Sequence, residues 1–209
     1  IWARIELCKL LKPTEPEKAE EYLSEAIERY QKYVDNPAEQ GMLQFYMTKI
    51  GDAYLHVEEV DRAEEAFNNL IETFKDNPRL VGYAEQKLEA IKQYRIWQLV
   101  KQAKEQKDSD PEKAEKLLTE AVNWYREQAE GPVDPRTRLY YMTKIADAYL
   151  HVEDFDRAEA ILKEIKDAFP ESKEVAAYVE GKQNVIRDLR GEPAGSPETA
   201  TETVEAATP

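Results

Sequence analysis

The chain has 209 residues, and its 43 acidic residues against 29 Lys and Arg give a formal net charge of -14. Nucleic acid is therefore not an expected partner, because a protein that binds phosphates needs a basic surface. The longest stretch without a charged side chain, residues 40–48, is far shorter than the roughly 20 apolar residues that span a bilayer, so we expect no direct membrane insertion in this segment.

Hydrophobic periodicity predicts an all-helical chain. After Ala19, apolar side chains recur at the spacing of a half-buried helix, and no stretch alternates in the way that is typical of strands. Asp110-Pro111 and Asp134-Pro135 indicate helix starts, Asn77-Pro78 offers the same signal, and Gly191 indicates a helix end. We predict helices at residues 1–11, 16–35, 38–57, 60–75, 78–106, 111–129, 135–152, 155–169 and 172–190.

The chain contains an internal duplication. Residues 1–95 align without gaps on residues 96–190, and the segments 46–64 and 141–159 differ at three positions only. The pentapeptide PEKAE also occurs in both copies. We therefore predict two helical units, 1–95 and 96–190, joined as one continuous solenoid and followed by a tail at 191–209.

The two ends of the chain are interpreted from the same alignment. Ile1-Trp2 matches Ile96-Trp97, which lies in the middle of a predicted helix, so we expect the sequence to start inside an element and to be a fragment or a processed form. The tail is rich in Pro, Thr and Glu and lacks aromatic and basic residues, which predicts disorder. A glycosylated stalk or a short recognition segment is the alternative for the tail.

Residues 142–172 resemble a tetratricopeptide repeat. The signature positions of that family are occupied by Ala146, Tyr149, Phe155, Ala158, Leu162 and Pro170. Residues 47–77 repeat the pattern with Gly51, Tyr54, Val60, Ala63 and Phe67. Two features depart from the family: its large aromatic residue is Met47 and Met142 here, and its glycine between the helices is Glu58 and Glu153.

This resemblance implies a fold and a binding surface. The implied fold is an all-α solenoid of helical hairpins, about nine helices in two duplicated units, with a concave face that binds a protein or peptide. The implied groove residues are Thr48, Lys49, Asp52, Leu55 and His56, with their equivalents Thr143, Lys144, Asp147, Leu150 and His151. Identity between the copies records either common ancestry or two equivalent partner contacts. The two aspartates argue against a clamp for a peptide's terminal carboxylate.

The sequence favours no catalytic site, metal site or cofactor. The glycines form no phosphate-binding or nucleophile motif, and Cys8 lies on an apolar helical stripe that predicts a core position. The repeated HVEEVD and HVEDFD segments hold one histidine among carboxylates, but they fall at helix turns, where polar residues are expected. We interpret the three tryptophans, Trp2, Trp97 and Trp124, as packing residues, with one exposed partner anchor as the alternative.

The function predicted from the sequence is a non-catalytic adaptor or scaffold that binds a protein partner, and the acidic composition favours a basic one. The alternative is a structural subunit that self-associates or builds into a larger assembly. The FPES ending at residues 169–172 resembles repeats of bacterial envelope proteins. That resemblance implies a periplasmic location with an upstream anchor or signal, and the cytoplasm is the other option.

Overall fold

The computed structural model describes residues 1–36 and 40–191, and within these ranges it contains α-helices and no strand. The predicted all-α class is therefore confirmed. The helices are α1 (Trp2–Leu11), α2 (Pro16–Asp35), α3 (Gln40–His56), α4 (Val60–Thr73), α5 (Pro78–Gln106), α6 (Pro111–Glu130), α7 (Pro135–His151), α8 (Phe155–Ala168) and α9 (Lys173–Arg190).

Each predicted helix is present, and its ends agree with the prediction to within two residues. Local chemistry explains this agreement. The Asp110 carboxylate accepts a hydrogen bond from the Lys113 amide, and Asp134 accepts from two amides of the first turn of α7. Gly191 ends α9 with φ 71°, the left-handed conformation that favours glycine. The predicted helix start at residue 38 and the tail beyond Gly191 lie outside the described residues.

The chain divides into two compact units, Ile1–Arg95 and a second unit that begins at Ile96. This division falls at the repeat junction of the sequence and lies within α5. Residues 78–95 of α5 therefore belong to the first unit, and residues 96–106 belong to the second.

In the first unit, consecutive helices pack as hairpins, with contacts between α1 and α2, α2 and α3, and α3 and α4. One buried cluster forms around Ile5, Leu23 and Val57, and another forms around Phe67 and Ile91. Helix α1 also contacts α3 directly. Side chains of α1 and α3 therefore share a surface.

In the second unit, α6, α7, α8 and α9 pack in the same consecutive order. One buried cluster runs through them, with Leu118, Ile145, Leu162 and Ile186 among its members and Val100 supplied by α5. The alanines at the family's close-contact position, Ala63 in the first unit and Ala158 here, have no exposed surface. Consecutive hairpins around such contacts make the fold of each unit a helical-repeat fold.

None of the helices in the described ranges combines the length and the apolar character that crossing a membrane requires.

Candidate partner-binding faces

Helices α3 and α7 separate core residues from the predicted groove residues. In α3, Met47 and Ala53 are buried, and in α7 Ile145 and Ala148 are buried. The predicted groove residues are each half-buried: Thr48, Lys49, Asp52, Leu55, His56, Thr143, Lys144, Asp147, Leu150 and His151. Each of these side chains thus has a surface that a partner can reach.

A connected surface of the first unit, called here the Trp2 face, consists of Trp2, Glu6, Lys49, Asp52, His56 and Lys87. The ring centres of Trp2 and His56 lie 5.3 Å apart. The Lys49 ammonium lies 5.6 Å from the Trp2 ring centre, close enough for a cation–π contact. Helices α1 and α3 therefore contribute jointly to this face.

The charges of the Trp2 face are paired within the unit. The Oδ2 atom of Asp52 lies 3.9 Å from Nζ of Lys49, and its Oδ1 atom lies 3.4 Å from Nζ of Lys87. Nε2 of His56 lies 3.1 Å from Oε1 of Glu6, an ion-pair distance outside hydrogen-bond geometry. Each carboxylate of the face thus has a basic neighbour.

The equivalent surface of the second unit, the Trp97 face, consists of Trp97, Lys101, Lys144, Asp147, His151 and Lys182. The ring centres of Trp97 and His151 lie 5.2 Å apart. Nζ of Lys182 donates a hydrogen bond of 2.6 Å to Oδ1 of Asp147. The aromatic contact and the aspartate–lysine pair of the first unit therefore recur in the second.

A tyrosine interacts with the aspartate of each face, Tyr83 with Asp52 and Tyr178 with Asp147. The Tyr83 hydroxyl donates a 2.5 Å hydrogen bond to Asp52, and burial followed by this bond raises the pKa of Tyr83 well above its usual value. Burial, followed by the negative charge of Asp147, likewise raises the pKa of Tyr178. Both phenols therefore stay protonated at neutral pH.

The predicted threonines and leucines have local roles. The Thr48 hydroxyl donates to the Gln44 carbonyl at 2.8 Å, and the Thr143 hydroxyl donates to the Tyr140 carbonyl at 2.7 Å, so both are bonded within their own helices. Leu55 and Leu150 pack against the buried clusters. Lysine, aspartate and histidine are therefore the predicted polar residue types that interact with neighbouring helices.

Sequence reasoning missed the contributions of α1, α5 and α9 to these faces. The tryptophans were interpreted as packing residues, and Trp97 and Trp124 do pack against the buried cluster of the second unit. Trp2, in contrast, is 39% exposed, and its ring lies beside that of His56 with a tilt of 47°. Lys87 and Lys182 were not singled out at all. The alignment of the two copies could have identified them, because Trp2 is equivalent to Trp97 and Lys87 is equivalent to Lys182.

A cleft of about 410 Å³ adjoins the Trp2 face in the first unit. Its lining includes His56 and Leu55 from α3 and Tyr94 and Ile91 from α5. The mixed apolar and polar wall suits a side chain or a short peptide segment, since ligand sites combine apolar walls with a few polar groups.

Two carboxylates of the HVEEVD turn, those of Glu59 and Asp61, contact basic side chains. Lys12 contacts Glu59 at 2.7 Å and also donates to the Val57 carbonyl at 2.6 Å. Arg95 contacts Asp61 at 2.6 Å, and in the second turn Arg190 contacts Asp156 at the same distance. These contacts make the turns ordered ion-pair clusters.

Potential metal-ligating side chains do not gather in the described chain, and its cysteine is buried. Over residues 1–36 and 40–191, no three His, Cys, Asp or Glu side chains gather in a way that would hold a metal ion. Cys8 is buried, as predicted, and burial raises the pKa of its thiol. A raised pKa disfavours the thiolate that nucleophilic chemistry requires.

The packing of the helices and their exposed faces give the molecule the architecture of a helical-repeat protein. Proteins of this kind bind other proteins. Residues 140–172, which comprise α7 and α8 and the turn between them, match the family model described as a tetratricopeptide repeat. The chain therefore carries a repeat of this type, and the match supports a protein–protein interaction module as its general kind. No curated protein and no solved structure matched the chain.

Proposed function

We propose that the protein is a non-catalytic adaptor that holds a protein or peptide partner against its Trp2 and Trp97 faces within a multiprotein complex. The observation that carries this proposal is the recurrence of the same accessible contacts in both units. Trp2 with His56 and Trp97 with His151 have ring distances that differ by 0.1 Å.

The proposed surface contains the residue types that dominate binding energy in protein interfaces. Tryptophan, exposed at Trp2 and half-buried at Trp97, is enriched at such positions because it buries a large apolar area with little loss of conformational entropy. Trp2 lies beside the Lys49 ammonium and donates a hydrogen bond to the Glu6 carboxylate, and charged groups of this kind set orientation and association rate. The net charge of -14 favours a partner of basic character at long range.

Cross-linking of the native complex through lysine, followed by mass spectrometry, tests the adaptor function. Lys49 and Lys144 are half-buried on the two faces, so we expect links from both to a different protein. The variant Lys49→Glu with Lys144→Glu should fold normally and capture that protein at least about tenfold more weakly, which corresponds to roughly 1.4 kcal/mol.

The matched control is Lys75→Glu with Lys163→Glu, which makes the same charge change at two exposed lysines outside both faces. Equal loss of capture in the control and the test variant would show a general charge effect and contradict the assignment of the faces. Unchanged capture by the test variant would contradict it as well.

A structural subunit that self-associates is the second candidate, and exposed leucines on α1 favour it. Leu7 is 42% exposed and Leu10 is 73% exposed, whereas their equivalents in the second copy are Gln102 and Glu105. Exposed leucines at positions where the other copy has polar residues indicate a surface that another molecule covers. Cross-links only between copies of this chain, retained at high salt, would place this function first.

A further inference from the structure

The charged side chains on and beside the two faces differ in sign at one of six equivalent positions. Five pairs keep their sign: Lys9 and Lys104, Lys49 and Lys144, Asp52 and Asp147, Glu58 and Glu153, and Lys87 and Lys182. The sixth pair is Glu6 in the first copy and Lys101 in the second. Around the Trp2 face three ammonium groups thus meet three carboxylates, while around the Trp97 face four meet two.

In the second unit this reversal puts Lys101 in place of Glu6, the carboxylate that lies beside His56 in the first unit. In the first unit Glu6 lies 3.1 Å from His56. In the second unit, burial and then the positive charges of Lys104 and Lys101 hold the pKa of His151 below its ordinary value of 6.5, against the opposing effect of Glu153. At a pH below 6.5, protonation of His151 would add a further positive charge next to the ammonium groups of Lys104 and Lys101.

Two ammonium groups of the Trp97 face also lack a carboxylate partner within the described residues. Lys182 is the lysine paired with Asp147, at 2.6 Å. Lys144 lies 5.3 Å from the Tyr140 ring centre, and within the described residues it has no acidic partner. Lys101 is exposed and, over the same residues, makes no ion pair or hydrogen bond. Two ammonium groups of the Trp97 face, those of Lys101 and Lys144, therefore have no carboxylate partner among the described residues of a strongly acidic chain.

We propose that the Trp97 face binds an acidic segment of a protein partner through side-chain carboxylates, and that the Trp2 face does not. Carboxylates of the segment would pair with Lys101 and Lys144, and an adjacent apolar side chain would pack on Trp97. Charge complementarity selects this ligand, because any acidic segment is repelled by the rest of the surface. This inference rests on the proposed adaptor function and assigns different ligands to its two faces.

The duplication supplies the test. The probe is a fluorescent peptide of alternating glutamate and leucine with acetylated and amidated ends, and its control has lysine in place of glutamate. Titrations use the full chain at low salt and follow fluorescence anisotropy. We expect the parent to bind one equivalent of the glutamate peptide and Lys101→Glu to bind it at least about tenfold more weakly. Glu6→Lys should create a second site and bind two equivalents.

Two controls make the result specific. A full-length variant with Gln at the tail positions Glu192, Glu198, Glu202 and Glu205 removes competing carboxylates of the chain itself, and it should bind the peptide at least as well as the parent. A single-stranded oligonucleotide should bind far more weakly than the peptide. Equal binding of the oligonucleotide, or equal peptide binding by parent and Lys101→Glu, would overturn the proposal.

The test separates this inference from the adaptor function. If the glutamate peptide fails to bind while Lys49 and Lys144 still cross-link to a native partner, the adaptor function stands and the charge assignment is wrong. If cross-linking also yields only copies of this chain, the adaptor function fails with it.

Discussion

At the scale of single residues, the most informative departure from the repeat pattern is the residue in the turn between paired helices. Glu58 has φ 60° and Glu153 has φ 58°, and these two are the positive-φ residues other than glycine in the described chain. Residues with a Cβ atom rarely adopt this left-handed region, which costs roughly 1–2 kcal/mol. This chain therefore has a glutamate, in a conformation that favours glycine, at the position where the family has its glycine.

Replacing Glu58 by glycine should stabilise the protein. Relief of the left-handed conformation is partly offset by the entropy that glycine loses on folding, so we expect a net gain of about 0.5–1 kcal/mol. The measurement is the free energy of unfolding from urea titration. Glu58→Ala is the control, because it removes the same contact with Tyr94 and keeps the Cβ atom.

We expect Glu58→Gly to be more stable than Glu58→Ala, and the corresponding pair at position 153 to rank in the same order. An alanine variant as stable as the glycine variant would show that the turn imposes no strain.

At the scale of elements, the contact between α3 and α4 uses a different pair of residues from its equivalent between α7 and α8. The first unit has Gly51 and Phe67, and a Cβ atom at position 51 would lie 2.7 Å from Cε1 of Phe67. The second unit has Ala146 and Leu162 at the same positions, both without exposed surface. The larger Phe67 thus accompanies the smaller Gly51, and the smaller Leu162 accompanies the larger Ala146. This compensation keeps the interior close-packed.

These paired positions should be energetically coupled. Gly51→Ala should destabilise the protein by about 1 kcal/mol, because overpacking outweighs the gain in helix propensity. Adding Phe67→Leu should recover part of this loss, since the double variant reproduces the pair of the second unit. A double-mutant cycle measured by thermal or urea unfolding should give a coupling of at least about 0.5 kcal/mol.

Strictly additive effects of Gly51→Ala and Phe67→Leu would contradict this interpretation of the contact. The reciprocal change, Ala146→Gly with Leu162→Phe, tests the same coupling in the second unit.

At the scale of the whole molecule, the duplication, the division at residue 95 and the buried clusters agree on two units. The first unit's clusters include Ile5 and Phe67, and the second unit's cluster includes Val100 and Ile165. The boundary falls within α5 without any glycine or proline between residues 83 and 106. We propose that each unit is an independent folding unit, and that α5 is continuous because it supplies a helix to each.

The isolated segments 1–95 and 96–209 should therefore each fold. Circular dichroism should show helical spectra and cooperative thermal unfolding for both segments, with transitions below that of the full chain because the cut shortens α5. A segment that is helical but melts without cooperativity would contradict independent folding, since it would lack a fixed core.

The sequence determined the helices and the duplication by itself. Helical periodicity, proline at helix starts and Asp110 or Asp134 as caps act between residues a few positions apart, so they can be detected along the chain. The repeat pattern of residues 142–172 could be recognised for the same reason, because its small and aromatic positions follow from how one hairpin packs.

Only the tertiary structure decided which charges meet. Lys87 pairs with Asp52, and Glu6 lies beside His56, across separations of 35 and 50 residues that no local pattern encodes. The composition of the chain indicated an acidic molecule with a basic partner, whereas the geometry leaves Lys101 and Lys144 without a carboxylate partner among the described residues. Electrostatic pairing depends on distances of a few ångströms between helices, and folding alone sets those distances.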